Sequence, residues 1–387
     1  MAFGRLAGGD HPLYDCRVLY GDYGLVFGYL CEAVIGNLDL LADPDTFGTF
    51  INSNKVFVYF VVVAVMVNGI LLGGVKGGIE RAAKILMPTL FVMLIALVLF
   101  VLTLDNAFAG VTYYLVPDFS KINAGVINGA LSQAFFSLSL GMGIMITYGS
   151  YMSRSESVAN SAKFVALMDT GVAFAAGLLI IPAIFSFNPA TNTADLSDSS
   201  VGLIFSFLPK IFLALQATIG YVGASAVAAL FFLLVFFAAL TSLVSITEVP
   251  TSTLVGEKGY SRPKALLVLS ASMAMLTFAC ILSFGRVDGL TSLVSYAGVS
   301  KSLFDVIIDV FYDTVLPLNG LLVCLFVIYR WRQHNFNAEL EVGDDGYKGS
   351  WIERYVNFAL STFIPVILLL VFINTVLLKY WGFSLIG

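Results

Sequence analysis

Gln133–Tyr151 reads QAFFSLSLGMGIMITYGSY. The stretch is apolar enough to cross a bilayer, yet its middle, Ser137-Leu-Ser139-Leu-Gly141-Met-Gly143, mixes hydroxyls and glycines into the run. Each glycine weakens a helix by about 1 kcal/mol. An unwound segment would free backbone N–H and C=O groups inside the membrane, which is tolerable only where they line a cavity or meet a ligand. The half-helix ends would then offer partial charges to an ion or a carboxylate. Small residues also let membrane helices approach closely. Taken alone, the stretch leaves both readings open, with packing the commoner.

The surrounding chain has the same character. Its 387 residues are 59% hydrophobic and only 12% charged, with a mean hydropathy of +0.92. A soluble domain carries about 25% charged residues, so a soluble enzyme, a disordered chain and a nucleic-acid binder are all disfavoured. The apolar runs are too long and too unbroken for barrel strands. The composition predicts an all-α polytopic membrane protein, and the net charge of −5 implies no charged partner. Eight spans are expected at about 55–73, 85–104, 127–152, 164–187, 223–254, 264–285, 303–330 and 356–380. A ninth at about 20–38 is weaker because it contains Asp22 and Glu32. Segment 201–220 is apolar but interrupted by Pro209, which suggests a short helical hairpin over the outer face.

Orientation follows from the basic residues. With the N-terminus cytoplasmic and nine spans, 14 of the 20 Lys and Arg fall inside. That bias fits the positive-inside rule and puts the C-terminus outside. No cleavable signal peptide is expected, since the first residues are polar and Gly-rich. Cys16, Cys31, Cys280 and Cys324 have no paired spacing and read as buried thiols. His11 and His334 lie far apart in polar segments, which disfavours a histidine metal site.

Two further stretches carry polar groups within spans. In Phe236–Ser242, FFAALTS, the adjacent hydroxyls of Thr241 and Ser242 either bond back to the preceding turn or help replace water around a hard cation. Asp169, in ALMDTGVAFAAGLLIIP, is a carboxylate inside a long span and a candidate ion ligand or proton site. Its alternative is a wetted position near the headgroups. Gln133 and Glu248 are also polar intramembrane positions, and for Glu248, before Pro250 near the inner helix end, a structural role weighs at least as much as a functional one. These constellations point to a substrate and ion site near the midplane, in a transporter or channel.

At these residues the chain resembles the neurotransmitter:sodium symporter family, in particular its short bacterial members. QAFFSLSLGMG is similar to that family's sixth helix and FFAALTS to its eighth. Gly73–Pro88 (GGVKGGIERAAKILMP) resembles the link between its fourth and fifth helices. Tyr113–Ile122 (YYLVPDFSKI) and Gly202–Phe212 (GLIFSFLPKIF) resemble its outer loops. The resemblance implies a leucine-transporter-like fold of two inverted five-helix repeats. Residues 1–126 would be what remains of the first repeat, 127–331 the second, and 332–387 a cytoplasmic loop and final helix.

It also implies sodium-driven uptake of an amino acid or related amine, in the plasma or inner membrane, and a family compatible with homodimers. Ala238, Thr241 and Ser242 match the eighth-helix part of one sodium site. Ser137 and Asp169 match ligands of the other. Phe136, Ser139 and Met142 match the broken-helix side of the substrate pocket, and Tyr23 matches a third-helix tyrosine that touches the substrate carboxylate. Asp309, with Asp305 as the alternative, matches the acidic member of an outer gate. Asp169 supplies negative charge where chloride-binding members often have Asn, so no chloride requirement is expected.

Some of the family's pattern is missing. MAFGRLAG at the start resembles the last turn of the second helix, and no Gly-rich, Asn-aromatic-Arg-Phe-Pro segment precedes it. Gly256 stands where an acidic inner-gate residue is usual, with Glu257 beside it. The expectation is an N-terminally truncated symporter of about nine helices that transports poorly by itself. The alternative is a non-transporting remnant that binds a substrate or a partner helix. An integral-membrane enzyme is disfavoured, since no span carries a His cluster, a nucleophile–base pair or a metal-ligand spacing.

Overall fold

The computed structural model describes residues 21–53, 55–122, 124–187, 203–283, 287–344 and 346–383. The expectations for MAFGRLAG, His11 and Cys16 lie outside these residues. Six helical stretches among them are long and apolar enough to cross a membrane: Val75–Leu102, Val158–Ser186, Gln216–Lys258, Arg262–Cys280, Leu303–Trp331 and Phe363–Trp381. Two shorter apolar helices, Gly24–Ile35 and Val58–Leu72, fall at the expected 20–38 and 55–73 segments.

Three expected segments have different local structure. The span expected at 127–152 is two helices, Ala124–Ser137 and Ile144–Gly149, with a non-helical link between them. The span expected at 356–380 is likewise interrupted at Thr362 (φ −121°, ψ −85°), which separates Trp351–Ser361 from Phe363–Trp381. Pro209 does not interrupt its segment but helps to start the Leu208–Ala214 helix. Proline is well suited to a first turn, where its missing N–H would have had no partner in any case.

Internal contacts divide the chain into two compact units, Met1–Pro117 with Val172–Ala274, and Asp118–Gly171 with Met275–Gly387. The two units interleave along the chain.

In the first unit, helices Gly21–Ile35, Lys55–Leu72, Glu80–Leu102 and Gln216–Lys258 share one apolar core. Tyr29 is fully buried there, with its ring centroid 5.0 Å from Phe205 and 5.4 Å from Phe232. Gly28 makes room for this packing, because a Cβ there would lie 2.1 Å from Phe50 Cζ. Such close fitting matters in a bilayer, where lipid is as apolar as the side chains and burial alone gives helices little reason to associate.

The glycines of Gly73–Pro88 have a similar explanation. Gly74 takes φ +72°, and a Cβ on Gly78 would lie 1.8 Å from the Ile70 carbonyl oxygen. The wide-turn segment Val75–Ile79 can therefore fold directly back on the preceding helix end. At that same helix end, the Leu71 carbonyl accepts a 2.5 Å bond from Arg262 Nε. The same guanidinium forks onto Glu248, at 2.5 Å and 3.2 Å. Glu248 thus sits in a structural ion pair, one of the two roles its position left open.

In the second unit, strands β1 (Val294–Tyr296) and β2 (Val299–Lys301) pair antiparallel, with Ser295 opposite Ser300. Ala297 (φ 52°) and Gly298 (φ 75°) make the turn. Two positive φ values in a two-residue loop match the twist of the flanking strands. Ser302 and Asp305 form a capping box at the start of Leu303–Ile307. That helix continues through the wide turns of Ile308–Val315 into Leu316–Leu325.

Candidate functional site

The helix break in the second unit is built from its own sequence. Three residues take positive φ: Ser139 at 53°, Gly141 at 81° and Gly143 at 80°. Ala124–Ser137 ends where Ser139 N donates to the Phe136 carbonyl (2.9 Å) and Leu140 N to the Phe135 carbonyl (3.1 Å). Ile144–Gly149 begins where the Gly143 carbonyl accepts from Thr147 N at 2.9 Å. The Gly141 carbonyl, which has left the helical ladder, accepts from Asn319 Nδ2 at 3.3 Å. A polar side chain thus serves a freed backbone group, as a break within an apolar segment requires.

Neighbouring side chains converge on this break. Ser137 Oγ donates to Asp169 Oδ1 at 2.6 Å, across 32 residues of sequence. Two residues matched to one sodium site on resemblance are therefore in direct contact. The ring of Phe136 stacks on Tyr312, with centroids 4.6 Å apart and planes 13° apart. Phe136, Ser139, Met142 and Asp169 are all half-buried. A cation beside the pair would meet a carboxylate, a hydroxyl and the negative C-terminal end of Ala124–Ser137.

Ala238, Thr241 and Ser242 lie on Gln216–Lys258 in the first unit. Thr241 Oγ1 donates to the Ala238 carbonyl at 2.9 Å, and Ser242 Oγ donates to the same oxygen at 3.2 Å. This is the back-bonding expected of hydroxyls on an apolar helix. It also gathers three oxygens on one face, each hydroxyl with lone pairs to spare, which is suitable chemistry for a hard cation. Tyr23 lies in the Gly21–Ile35 helix, and its side chain is outside the described residues.

Asp309, matched to an outer gate, is 3% exposed. It pairs with Lys301 Nζ at 2.9 Å and Lys379 Nζ at 3.3 Å, and it accepts from the Tyr296 hydroxyl at 2.7 Å. Lys379 also reaches Asp313 at 2.8 Å. Burial, and then the bond to Asp309, raise the Tyr296 phenol above the usual tyrosine range. The alternative, Asp305, is engaged in the capping box, accepting from Ser302 N and Oγ at 2.8 Å each.

Sequence reasoning missed Tyr312, Asn319, Lys301, Lys379 and Arg262. A signal for the first two exists in hindsight. Tyr312, Leu316, Asn319 and Gly320 are spaced like one face of a helix. The charged partners come from a hairpin and a distant helix, which no local pattern links.

Comparison with known proteins gives a consistent result. The profile of the Sodium:neurotransmitter symporter family matches residues 42–382. The sodium-dependent transporter YhdH of Bacillus subtilis is 35% identical over 307 residues, which is 78% of this chain and 63% of that protein. A sodium-dependent transporter of Haemophilus influenzae is 33% identical over 365 residues, 91% of this chain and 74% of that protein. The crystal structure of MhsT in complex with L-phenylalanine matches with a TM-score of 0.71 at 32% identity, covering 92% of this chain and 77% of that one. The chain therefore spans less than two thirds of the first relative's length and about three quarters of the other two. Its fold is that of the leucine-transporter-like proteins, and its relatives are membrane transporters rather than enzymes. By sequence profile, by identity to these relatives and by fold, the chain belongs to the sodium:neurotransmitter symporter family.

Proposed function

We propose that this chain couples the movement of an amino acid or related amine across the membrane to sodium. The reading rests on the broken helix at Ser137–Gly143, where the Ser137–Asp169 contact lies beside Phe136, Ser139 and Met142. Asp169 and Ser137 would serve one sodium ion, and Ala238, Thr241 and Ser242 a second. Phe136, Ser139 and Met142 would form one wall of the substrate pocket, Tyr23 would meet the substrate carboxylate, and Asp309 would act at the outer gate. MhsT was crystallised with L-phenylalanine, which supports a zwitterionic amino acid as the first substrate to try. The bias of basic residues supports a cytoplasmic N-terminus and an outer C-terminus. The negative charge of Asp169 supports independence from chloride.

The test is reconstitution of the whole chain, alone, into liposomes with an inward sodium gradient. Uptake of labelled L-amino acids from glycine to tryptophan is measured, with potassium replacing sodium as the control. Sodium-dependent accumulation of at least one of them is expected under this reading. Sodium-dependent binding in detergent without accumulation would instead support the non-transporting alternative, and the absence of both would refute the proposal. The same assay checks the expectation of weak transport by this chain alone.

A further inference from the structure

Tyr312 belongs to the wide-turn segment Ile308–Val315 of the Leu303–Trp331 span. Wide turns are rare and occur mostly as local bulges, frequently at functional sites. This one is held from several directions. Asp309, three residues before Tyr312, is paired with Lys301 on β2 and with Lys379 on the final helix. Asp313, immediately after it, is paired with the same Lys379. Thr314 Oγ1 donates to the Asp309 carbonyl at 2.6 Å, spanning the turn. The backbone carrying Tyr312 is therefore tied to two other elements by charge-assisted contacts, which are stronger than neutral ones.

What this anchored residue touches is the ring of Phe136, face to face at 4.6 Å. The contact continues along the same helix. A Cβ on Gly141 would lie 2.5 Å from the Leu316 carbonyl oxygen, and one on Gly320 would lie 2.4 Å from Phe135 Cζ. Asn319 holds the Gly141 carbonyl. From Phe135 to Gly141 the helix break thus lies against one helix face, and Tyr312 is the part of that face that meets Phe136.

We propose that Tyr312 is a positioning residue for substrate binding: it fixes the orientation of the Phe136 ring, and the Asp309–Lys301–Lys379 cluster fixes Tyr312. This deepens the proposed function and rests on its assignment of Phe136 to the substrate pocket. A charge cluster outside the pocket would thereby act on selectivity inside it, through one aromatic pair. Loss of the stacked partner frees Phe136 to occupy other rotamers, so ligand affinity should fall without loss of the site.

The test uses the full chain in detergent with 4-fluorophenylalanine placed at position 136 alone, alongside sodium-dependent binding of the same amino-acid series. In the parent chain the fluorine resonance should be shifted upfield by the Tyr312 ring. Y312F should keep both the shift and the parent affinity. Y312L should lose the shift and weaken binding by about fivefold, the scale of one aromatic pair. K379M should move both readouts in the same direction by less, and Y312L/K379M should resemble Y312L. Monodisperse elution of each variant establishes folding. An unchanged resonance in Y312L, or equal affinities for Y312L and the parent, would overturn the proposal. If the parent binds no amino acid while the resonance responds as expected, the proposed function falls and the positioning of Phe136 stands. If binding is normal while the resonance does not respond, the positioning of Phe136 falls and the proposed function stands.

Discussion

Replacing Glu248 by Gln should destabilise the protein by about 3 kcal/mol, and the structure says why. The Glu248 side chain is 0% exposed and that of Arg262 is 21% exposed. Two fork-like bonds join them, and a third ties Arg262 Nε to the Leu71 carbonyl. Removing one partner of a buried ion pair costs about 3–5 kcal/mol, because the remaining charge stays desolvated. E248Q keeps the shape and leaves the positive charge on a guanidinium that is one-fifth exposed, so the lower end applies. R262M should cost more, about 4 kcal/mol, since it leaves the fully buried carboxylate without its guanidinium and also releases the Leu71 carbonyl. The double variant E248Q/R262M should be no worse than R262M alone, because no unmatched charge remains. Unfolding of the three variants and the parent in mixed micelles, titrated with a denaturing detergent, closes the cycle. A coupling on the order of 3 kcal/mol is expected, at the strong end for residues in contact. If the double variant loses the sum of the singles, or E248Q stays within about 0.5 kcal/mol of the parent, the pair is not the closed, buried unit described here.

Four other outcomes can be checked directly. Gly141→Ala should destabilise the break by about 3 kcal/mol, combining the roughly 1–2 kcal/mol of a left-handed residue with a backbone clash at Leu316. Gly129→Ala, whose added Cβ meets nothing within 4 Å among the described residues, should be neutral or gain up to about 1 kcal/mol of helix propensity in the same unfolding assay. On the proposed function, the parent should take up substrate equally with gluconate or chloride as the anion, while Asp169→Asn should acquire a chloride requirement. Persistent chloride-free transport by that variant would count against the charge argument. The raised Tyr296 phenol favours the protonated, donating form in the folded state. Its contribution should therefore be complete below the ordinary tyrosine range and be lost only as pH rises through the higher folded value. The difference in tyrosinate absorbance between parent and Y296F should accordingly appear later in an alkaline titration than that of the exposed tyrosines.

Composition and pattern alone carried the membrane class and the apolar segments, and they marked Ser137–Gly143 as a stretch where a helix could break, with close packing the commoner reading until the structure showed the break. These are legible because a bilayer imposes a length and a polarity on each segment separately. The residues from Ser137 to Gly143 hold the information for unwinding, since hydroxyls and glycines act on their own backbone. Tertiary structure decided which polar groups satisfy one another. Ser137 meets Asp169 across 32 residues, Asn319 reaches Gly141 across 178, and Asp309 draws one lysine from β2 and another from the final helix. Arg262 is an ordinary loop-end basic residue in sequence and becomes the partner of a fully buried glutamate in space. The physical reason is range. Unwinding and helix length depend on neighbours within a turn, whereas a desolvated charge or a freed carbonyl can be satisfied by any donor or counter-charge that the fold brings to it, from any point along the chain.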